Sequence, residues 1–304
     1  MGSKISRRKM MESIAGGSLL AAAPMALAQN AAQSTSPNLG SWDKPFDIHV
    51  HVEQEGNDFA DIGSIDEMIA KDYRSRVRFM DHHGIATSLV SPGFRYRKAE
   101  GIVNTRKMND MVAAYVAKHP DRFPAGIGTV EVSHGDPSLR ELERMAKDLK
   151  LKGVAWHHAD SGQAVDHPFM RPLLKQAQEL KLIPFIHVRE KEYEAWWRLE
   201  VLAEEFPGMT FVAFSGMTTT DDRTHAAHIV RRRQNILVDT GPVFYGGEGA
   251  IESFVKRFGA SRLLFGSNGQ ATLTLQAIRN SQLSVEEKTL VIAGNARKLL
   301  NMPE

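Results

Sequence analysis

Cysteine is absent from the 304-residue chain. That absence excludes disulfides, thiolate nucleophiles and cysteine-ligated zinc, so any metal must rest on histidine, carboxylate or amide ligands, and stability must come from core packing. A strong charge of one sign is also missing: 38 Lys and Arg stand against 36 Asp and Glu, a formal net charge of +2. Lys4, Arg7, Arg8 and Lys9 carry that excess with only Glu12 near them, which leaves the rest of the chain close to neutral. No basic stripe remains to bind nucleic acid or a membrane surface. Long apolar runs are lacking as well, because the one N-terminal stretch is broken by Gly16, Gly17 and Pro24 and makes a poor membrane span. With 42% hydrophobic and 24% charged residues, the chain has ordinary globular composition and length enough for one large core.

What is present begins at the N-terminus. Arg7-Arg8, a weakly apolar segment rich in Ala and Gly over 14–27, and Ala26-Leu27-Ala28 before Gln29 have the form of a twin-arginine signal peptide spanning 1–28. Such a signal predicts export in the folded state to the periplasm, with the twin-arginine export machinery as a partner. Residues 29–44 are polar and read as a linker, and 45–304 read as one domain.

Within that domain the informative stretch is Phe46-Asp47-Ile48-His49-Val50-His51. Strand alternation places His49 and His51 on one side, where two imidazoles can converge on one ion or one substrate atom. The chain then repeats strand and helix, and His187 ends the fifth predicted strand, 183–188. A parallel barrel brings such strand ends to one rim. His157 and His158 end the fourth predicted strand facing opposite ways, and His158 is the one placed at the rim. Arg95, on the loop after the second strand, is a candidate for a substrate carboxylate, because a guanidinium presents a fork of donors that matches two oxygens.

Several motifs in order carry a resemblance: Asp-x-His-x-His in the first strand, Gly84-Ile85 before the second, Pro120-Asp121-Arg122-Phe123 before the third, His187 ending the fifth, Phe265-Gly266-Ser267-Asn268 after the eighth, and Gly294-Asn295-Ala296 near the end. From Asp47 to Leu300 the chain resembles the amidohydrolase superfamily, and more closely the branch that holds lactonases and aromatic or muconate-type decarboxylases. The resemblance implies an α/β fold, a single (β/α)8 TIM barrel, with one divalent metal at its C-terminal rim, zinc foremost. His49, His51 and His187 match the family's metal ligands. Phe214-Ser215-Gly216 stands where the family usually has a sixth-strand histidine, with either Phe214 or Ser215 in the histidine's place, and Asn268 stands where it has an eighth-strand aspartate. An amide is neutral, holds a cation less tightly than a carboxylate and is no base near neutral pH, while Phe214 makes its wall apolar.

The leading expectation is a hydrolase of a small lactone, ester or amide, with His158 or Asp239 as base and a metal-independent route as an alternative. The second is a decarboxylase or lyase of an unsaturated or aromatic carboxylate, in which Arg95 or Arg189 holds the carboxylate and Asn268 donates a hydrogen bond. The third is an inactive periplasmic binding protein. Each takes a small-molecule partner, and a homo-oligomer is compatible with all of them.

Overall fold

Strands buried on both faces read as nearly continuous apolar runs, and this chain has several, such as Phe211-Val212-Ala213-Phe214 and Ile236-Leu237-Val238. In the computed structural model, which describes residues 44–52, 64–96, 98–189, 192–243, 247 and 249–302, these runs form parallel strands. They are β1 (Phe46–Asp47), β2 (Thr87–Val90), β3 (Ala125–Thr129), β4 (Gly153–Trp156), β5 (Ile183–His187), β6 (Phe211–Phe214), β7 (Ile236–Asp239) and β8 (Leu263–Leu264). They pair in the order β1 to β8, and the Ile48 amide donates to the Phe265 carbonyl at 3.1 Å, joining the last strand's end to the first. Helices alternate with them, so the arrangement is the (β/α)8 barrel expected from the sequence. The segment 1–28 read as a signal, the linker up to residue 43, the loop 53–63 and Arg97 lie outside the described residues.

Local signals start and stop the helices. Helix α1 (Ile65–His83) begins where the Ser64 side chain accepts from the Glu67 amide and ends at Gly84, whose φ of 72° lies in the left-handed region. An N-cap of this kind contributes about 1 kcal/mol. The helices α2 (Ile102–Lys118), α3 (Asp136–Lys147), α4 (His158–Ser161), α5 (Met170–Glu179) and α6 (Trp196–Glu205) follow, then α7 (Thr220–Arg232), which opens on a Thr219/Asp222 capping box. Helices α8 (Ala250–Phe258) and α9 (Ala271–Asn280) precede a C-terminal run of α10 (Val285–Thr289), a π-helical turn and α11 (Asn295–Leu299). The sequence reading missed α9, whose first residue has no side-chain cap; Ala271, Thr274, Leu275 and Ile278 bury one face of it at helical spacing.

Strand parity positions the site. Ala155, Phe185, Val212 and Phe214 belong to one buried apolar cluster, whereas Val154, Trp156, Ile186, Phe211 and Ala213 belong to another that includes helix residues such as Leu173, Leu202 and Ile229. The first set faces the barrel axis and the second faces the helices. Several strands stop short of expectation, and two of these bear on the site. β1 ends at Asp47 rather than 51, because the next polar groups are taken by side chains and a loop: His49 N–H donates to Asp47 Oδ1 at 3.1 Å, and the His49 carbonyl accepts from the Asn268 amide at 2.6 Å. β4 ends at Trp156, and His158 already begins α4.

Candidate metal centre

Three histidines from opposite parts of the chain meet at the C-terminal ends of β1 and β5. One ring nitrogen from each of His49, His51 and His187 lies within 4.8 Å of the others. The Nε2 atoms of His49 and His51 stand 3.0 Å apart. Two nitrogens each about 2.1 Å from one ion, at angles near 90–110°, are separated by about 3.0–3.4 Å, so the spacing suits a shared divalent cation.

The proton positions on these rings follow from their outer partners. His49 Nδ1 lies 2.5 Å from Asp239 Oδ2, and His51 Nδ1 lies 2.9 Å from the Pro92 carbonyl. Both acceptors call for a proton on Nδ1, which leaves lone pairs on the two Nε2 atoms that face each other. Facing lone pairs repel unless a cation lies between them, and outer partners of this kind are what orient histidine ligands. His187 is buried, and both its ring nitrogens lack a partner among the described residues. A buried orphan of this type costs about 1–3 kcal/mol unless something binds it. The donor set therefore fits one divalent metal ion.

Electrostatics agree. Burial, followed by neighbouring positive groups, holds His49 and His187 well below the ordinary histidine range, and burial does the same to His51. The rings are thus neutral and free to ligate. Burial also pushes the Asp239 carboxyl up to about 8 despite backbone N–H donors around it. A cation on the far side of His49 favours the ionised carboxylate, so ligand and partner reinforce each other.

The surrounding residues fix this geometry. Asp47 is buried, with its carboxyl raised to about 6 by burial, and takes the Ser267 amide at 2.9 Å and the Ser267 hydroxyl at 2.5 Å. It thereby ties β1 to the loop after β8. Arg76, from α1, donates to the His51 carbonyl at 2.6 Å and pairs with Asp72, which also receives the Tyr115 hydroxyl at 2.7 Å. At Gly266 an added β-carbon would lie 2.5 Å from Asp239 Oδ2 and 2.7 Å from His49 Cβ, so the His49–Asp239 contact requires glycine there.

The other residues singled out in the sequence fall as follows. Phe214 points inward and stacks on His49, centroids 4.0 Å apart and planes at 7°, while Ser215 takes a left-handed φ of 63° beside it. Arg189, two residues beyond β5, lies close enough to lower the pKa of His49, His187 and Asp239, and it makes no ion pair among the described residues. Arg95 is 62% exposed and lies 3.8 Å from Asp160, outside the cluster. Asn268 sits in the loop pinned by Asp47, with a left-handed φ of 45°. The placement of His158 is corrected: its ring turns away, with Nδ1 3.1 Å from the Gln163 carbonyl, and burial lowers its pKa to about 4. His157 occupies the inward position instead, its ring 4.3 Å from that of His187. Parity held the signal for this, because the smaller Ala155 shares a face with His157 and the larger Val154 and Trp156 share the other. Glu194, which the sequence reading also missed, stands behind His157.

Comparisons with known proteins bear on the chemistry. A family model described as amidohydrolase matches residues 46–302. A 2-amino-3-carboxymuconate-6-semialdehyde decarboxylase of Dictyostelium discoideum is 24% identical over 145 residues, 45% of this chain and 40% of that protein. The match thus spans less than half of that relative's length. The crystal structure of a 5-carboxyvanillate decarboxylase from Sphingomonas paucimobilis superposes with a TM-score of 0.67 at 18% identity, covering 86% of this chain and 100% of that one. A 5-carboxyvanillate decarboxylase of Novosphingobium aromaticivorans, solved with bound manganese, gives 0.66 at 17% identity over 87% of this chain and 99% of that one. These relatives are decarboxylases, which overturns the expectation of a lactone, ester or amide hydrolase. An amide at position 268, which offers no base to an attacking water, is in keeping with that correction.

Proposed function

Because the chain belongs to the amidohydrolase family, we propose that it is a metal-dependent decarboxylase of a small aromatic or unsaturated carboxylate. The observation that carries this reading is the convergence of His49, His51 and His187, with the outer partners of His49 and His51 setting the tautomers in which those two ligate. A divalent ion held there supplies Lewis-acid stabilisation of negative charge as the carbon–carbon bond breaks, a contribution of several kcal/mol. Decarboxylation asks for no attacking water, so an amide at position 268 is less damaging to it than to hydrolysis.

The chain's own residues take the remaining tasks. Arg189 has the charge and the position to hold the substrate carboxylate. Phe214, with Phe94 5.5 Å from the His187 ring, forms apolar walls suited to a flat substrate and hostile to water. Asp239 keeps His49 in the ligating tautomer, and Asn268, on the loop that Asp47 pins beside His49, is assigned the donor of a hydrogen bond to the substrate.

The test is carbon dioxide release from protein loaded with manganese or zinc. A panel of 5-carboxyvanillate, 2,6-dihydroxybenzoate and carboxymuconate-type acids is expected to include at least one substrate that yields carbon dioxide and the protonated product in equal amounts. No release from any of them by metal-loaded protein sinks the proposal. A companion expectation concerns Asn268→Asp, which adds an anionic oxygen at the rim and is expected to tighten metal binding by roughly tenfold or more. Competition against a chelator measures it, and an unchanged affinity removes position 268 from the ion's surroundings.

A further inference from the structure

Of the three ligating histidines, His51 alone takes its orienting groups from a loop. His49 is oriented by Asp239 on β7, and the ring nitrogens of His187 have no partner among the described residues. The acceptors at His51 Nδ1 are the Pro92 carbonyl at 2.9 Å and the Ser91 hydroxyl oxygen at 3.2 Å, and Ser91 Oγ in turn donates to the Val50 carbonyl at 2.7 Å. Phe94 belongs to the apolar cluster at the barrel axis and packs its ring 5.2 Å from His51 and 5.5 Å from His187. One short segment after β2 therefore sets a ligand tautomer and walls the metal position.

A loop carbonyl is only as well placed as its loop, and this segment is fastened at both ends. At its start His51 and Ser91 pair as parallel neighbours, and an added β-carbon at Gly93 would lie 2.6 Å from the Val52 carbonyl oxygen. At its far side the fastening is Glu131, buried just beyond β3. Its Oε1 accepts the Tyr96 hydroxyl at 3.0 Å and the Lys98 ammonium at 2.8 Å, while its backbone carbonyl accepts the Ser138 hydroxyl at 2.7 Å. The Tyr96 oxygen also meets the Thr105 hydroxyl of α2 at 2.8 Å. Burial, followed by the Glu131 charge, holds the Tyr96 phenol well above its ordinary pKa, so it stays a donor. Tyr96 packs in the outer cluster with the helices, whereas Phe94 faces the axis.

We propose that Glu131 is a positioning residue for the metal centre: by holding Tyr96 and Lys98 it fixes the segment that orients His51 and places Phe94. The carboxylate itself touches neither ion nor substrate. Charge-assisted bonds of this kind are roughly twice as strong as neutral ones. Releasing them leaves Pro92 and Phe94 attached through the Ser91 end alone, and His51 Nδ1 then loses its closer acceptor for part of the time. An ion pair that served stability only would lower melting without altering the His51 ring, and that difference is what the test reads. The inference rests on the metal-centre assignment and is independent of which reaction the ion supports.

The experiment compares Glu131→Leu, Glu131→Gln and Tyr96→Phe with wild type, each as the full chain, by manganese competition against a chelator, by melting, and by nitrogen NMR of the metal-free imidazoles. Glu131→Leu is expected to bind manganese about tenfold more weakly, the low end of what outer partners of histidine ligands contribute. Glu131→Gln keeps an acceptor for Tyr96 and is expected to stay within about threefold of wild type. Tyr96→Phe keeps the ring, is expected to fall between the two, and carries the test if Glu131→Leu does not fold. In Glu131→Leu the His51 ring should show a mixture of tautomers while His49, oriented by Asp239, remains protonated at Nδ1. Manganese affinity and a His51 tautomer unchanged from wild type overturn the proposal, in Tyr96→Phe as in Glu131→Leu. A change at both His49 and His51 also overturns it, because Glu131 then supports the barrel as a whole. If wild-type protein takes up no manganese, the metal-centre assignment fails with the proposal; if it does and the variants bind as it does, this inference alone fails.

Discussion

A His187→Ala variant is expected to lose at least about 10³-fold in decarboxylation rate and to retain less than a tenth of an equivalent of metal. The rate follows from the Lewis-acid contribution, since several kcal/mol at about 1.4 kcal/mol per tenfold amounts to three or more orders of magnitude. Two imidazoles remain after the substitution, but their facing lone pairs are then left to a cation with one fewer donor. Folding tells the same story from another side. His187 makes no hydrogen bond among the described residues, so its removal takes away packing and an orphan polar group together. The metal-free variant should melt close to metal-free wild type. Wild type should gain about 2.7 kcal/mol when an ion is added at a hundred times its Kd, and the variant should gain nothing at that concentration. Calorimetric melting with and without manganese, beside a turnover assay, checks both. Full metal content and wild-type turnover in the variant would remove His187 from the centre.

Asp239→Asn is expected to weaken metal binding by about 10–100-fold and to cut turnover by at least as much, with the fold intact. The two carboxylate oxygens are both committed as acceptors, Oδ2 toward His49 Nδ1 and Oδ1 toward the Gly216 amide at 3.3 Å. An amide has one acceptor and must turn its NH₂ toward one of these N–H groups. If it faces Gly216, a buried donor is left unpaired at a cost of about 1–3 kcal/mol. If it faces His49, the ring changes tautomer and its proton moves to Nε2, directed at the His51 nitrogen 3.0 Å away. That proton then fills the place of the ion. Nitrogen NMR of the imidazoles distinguishes the tautomers: wild type should show His49 protonated at Nδ1 and the variant at Nε2. Finding the same tautomer in both, with affinity within threefold, would reduce Asp239 to a packing role.

The fold and the triad were legible in the chain because local patterns carry them. Apolar runs punctuated by caps such as Ser64 and Gly84 set the alternation of strand and helix, and the spacing of His49 and His51 marks a site whatever surrounds it. The second layer of the site was not legible. Asp239 reaches His49 across 190 residues and Ser267 reaches Asp47 across 220, and no local periodicity encodes a side-chain hydrogen bond of that separation. Asp47 read only as part of a histidine motif, yet it is the group that pins the loop bearing Asn268. Glu194 follows the exposed Glu192 and Tyr193, and nothing local in the sequence separates it from a surface carboxylate.

The sequence by itself determined where the strands lie, though not where they end, that eight of them alternate with helices, and that His49, His51 and His187 lie at or just beyond the ends of two of those strands. Only the tertiary structure decided that His157 rather than His158 looks inward, that Phe214 rather than Ser215 fills the sixth-strand position, and that Asp239 orients a ligand. The physical reason is parity. Successive side chains on a strand point to opposite faces, and which face becomes the barrel axis is settled when all eight strands close on one another.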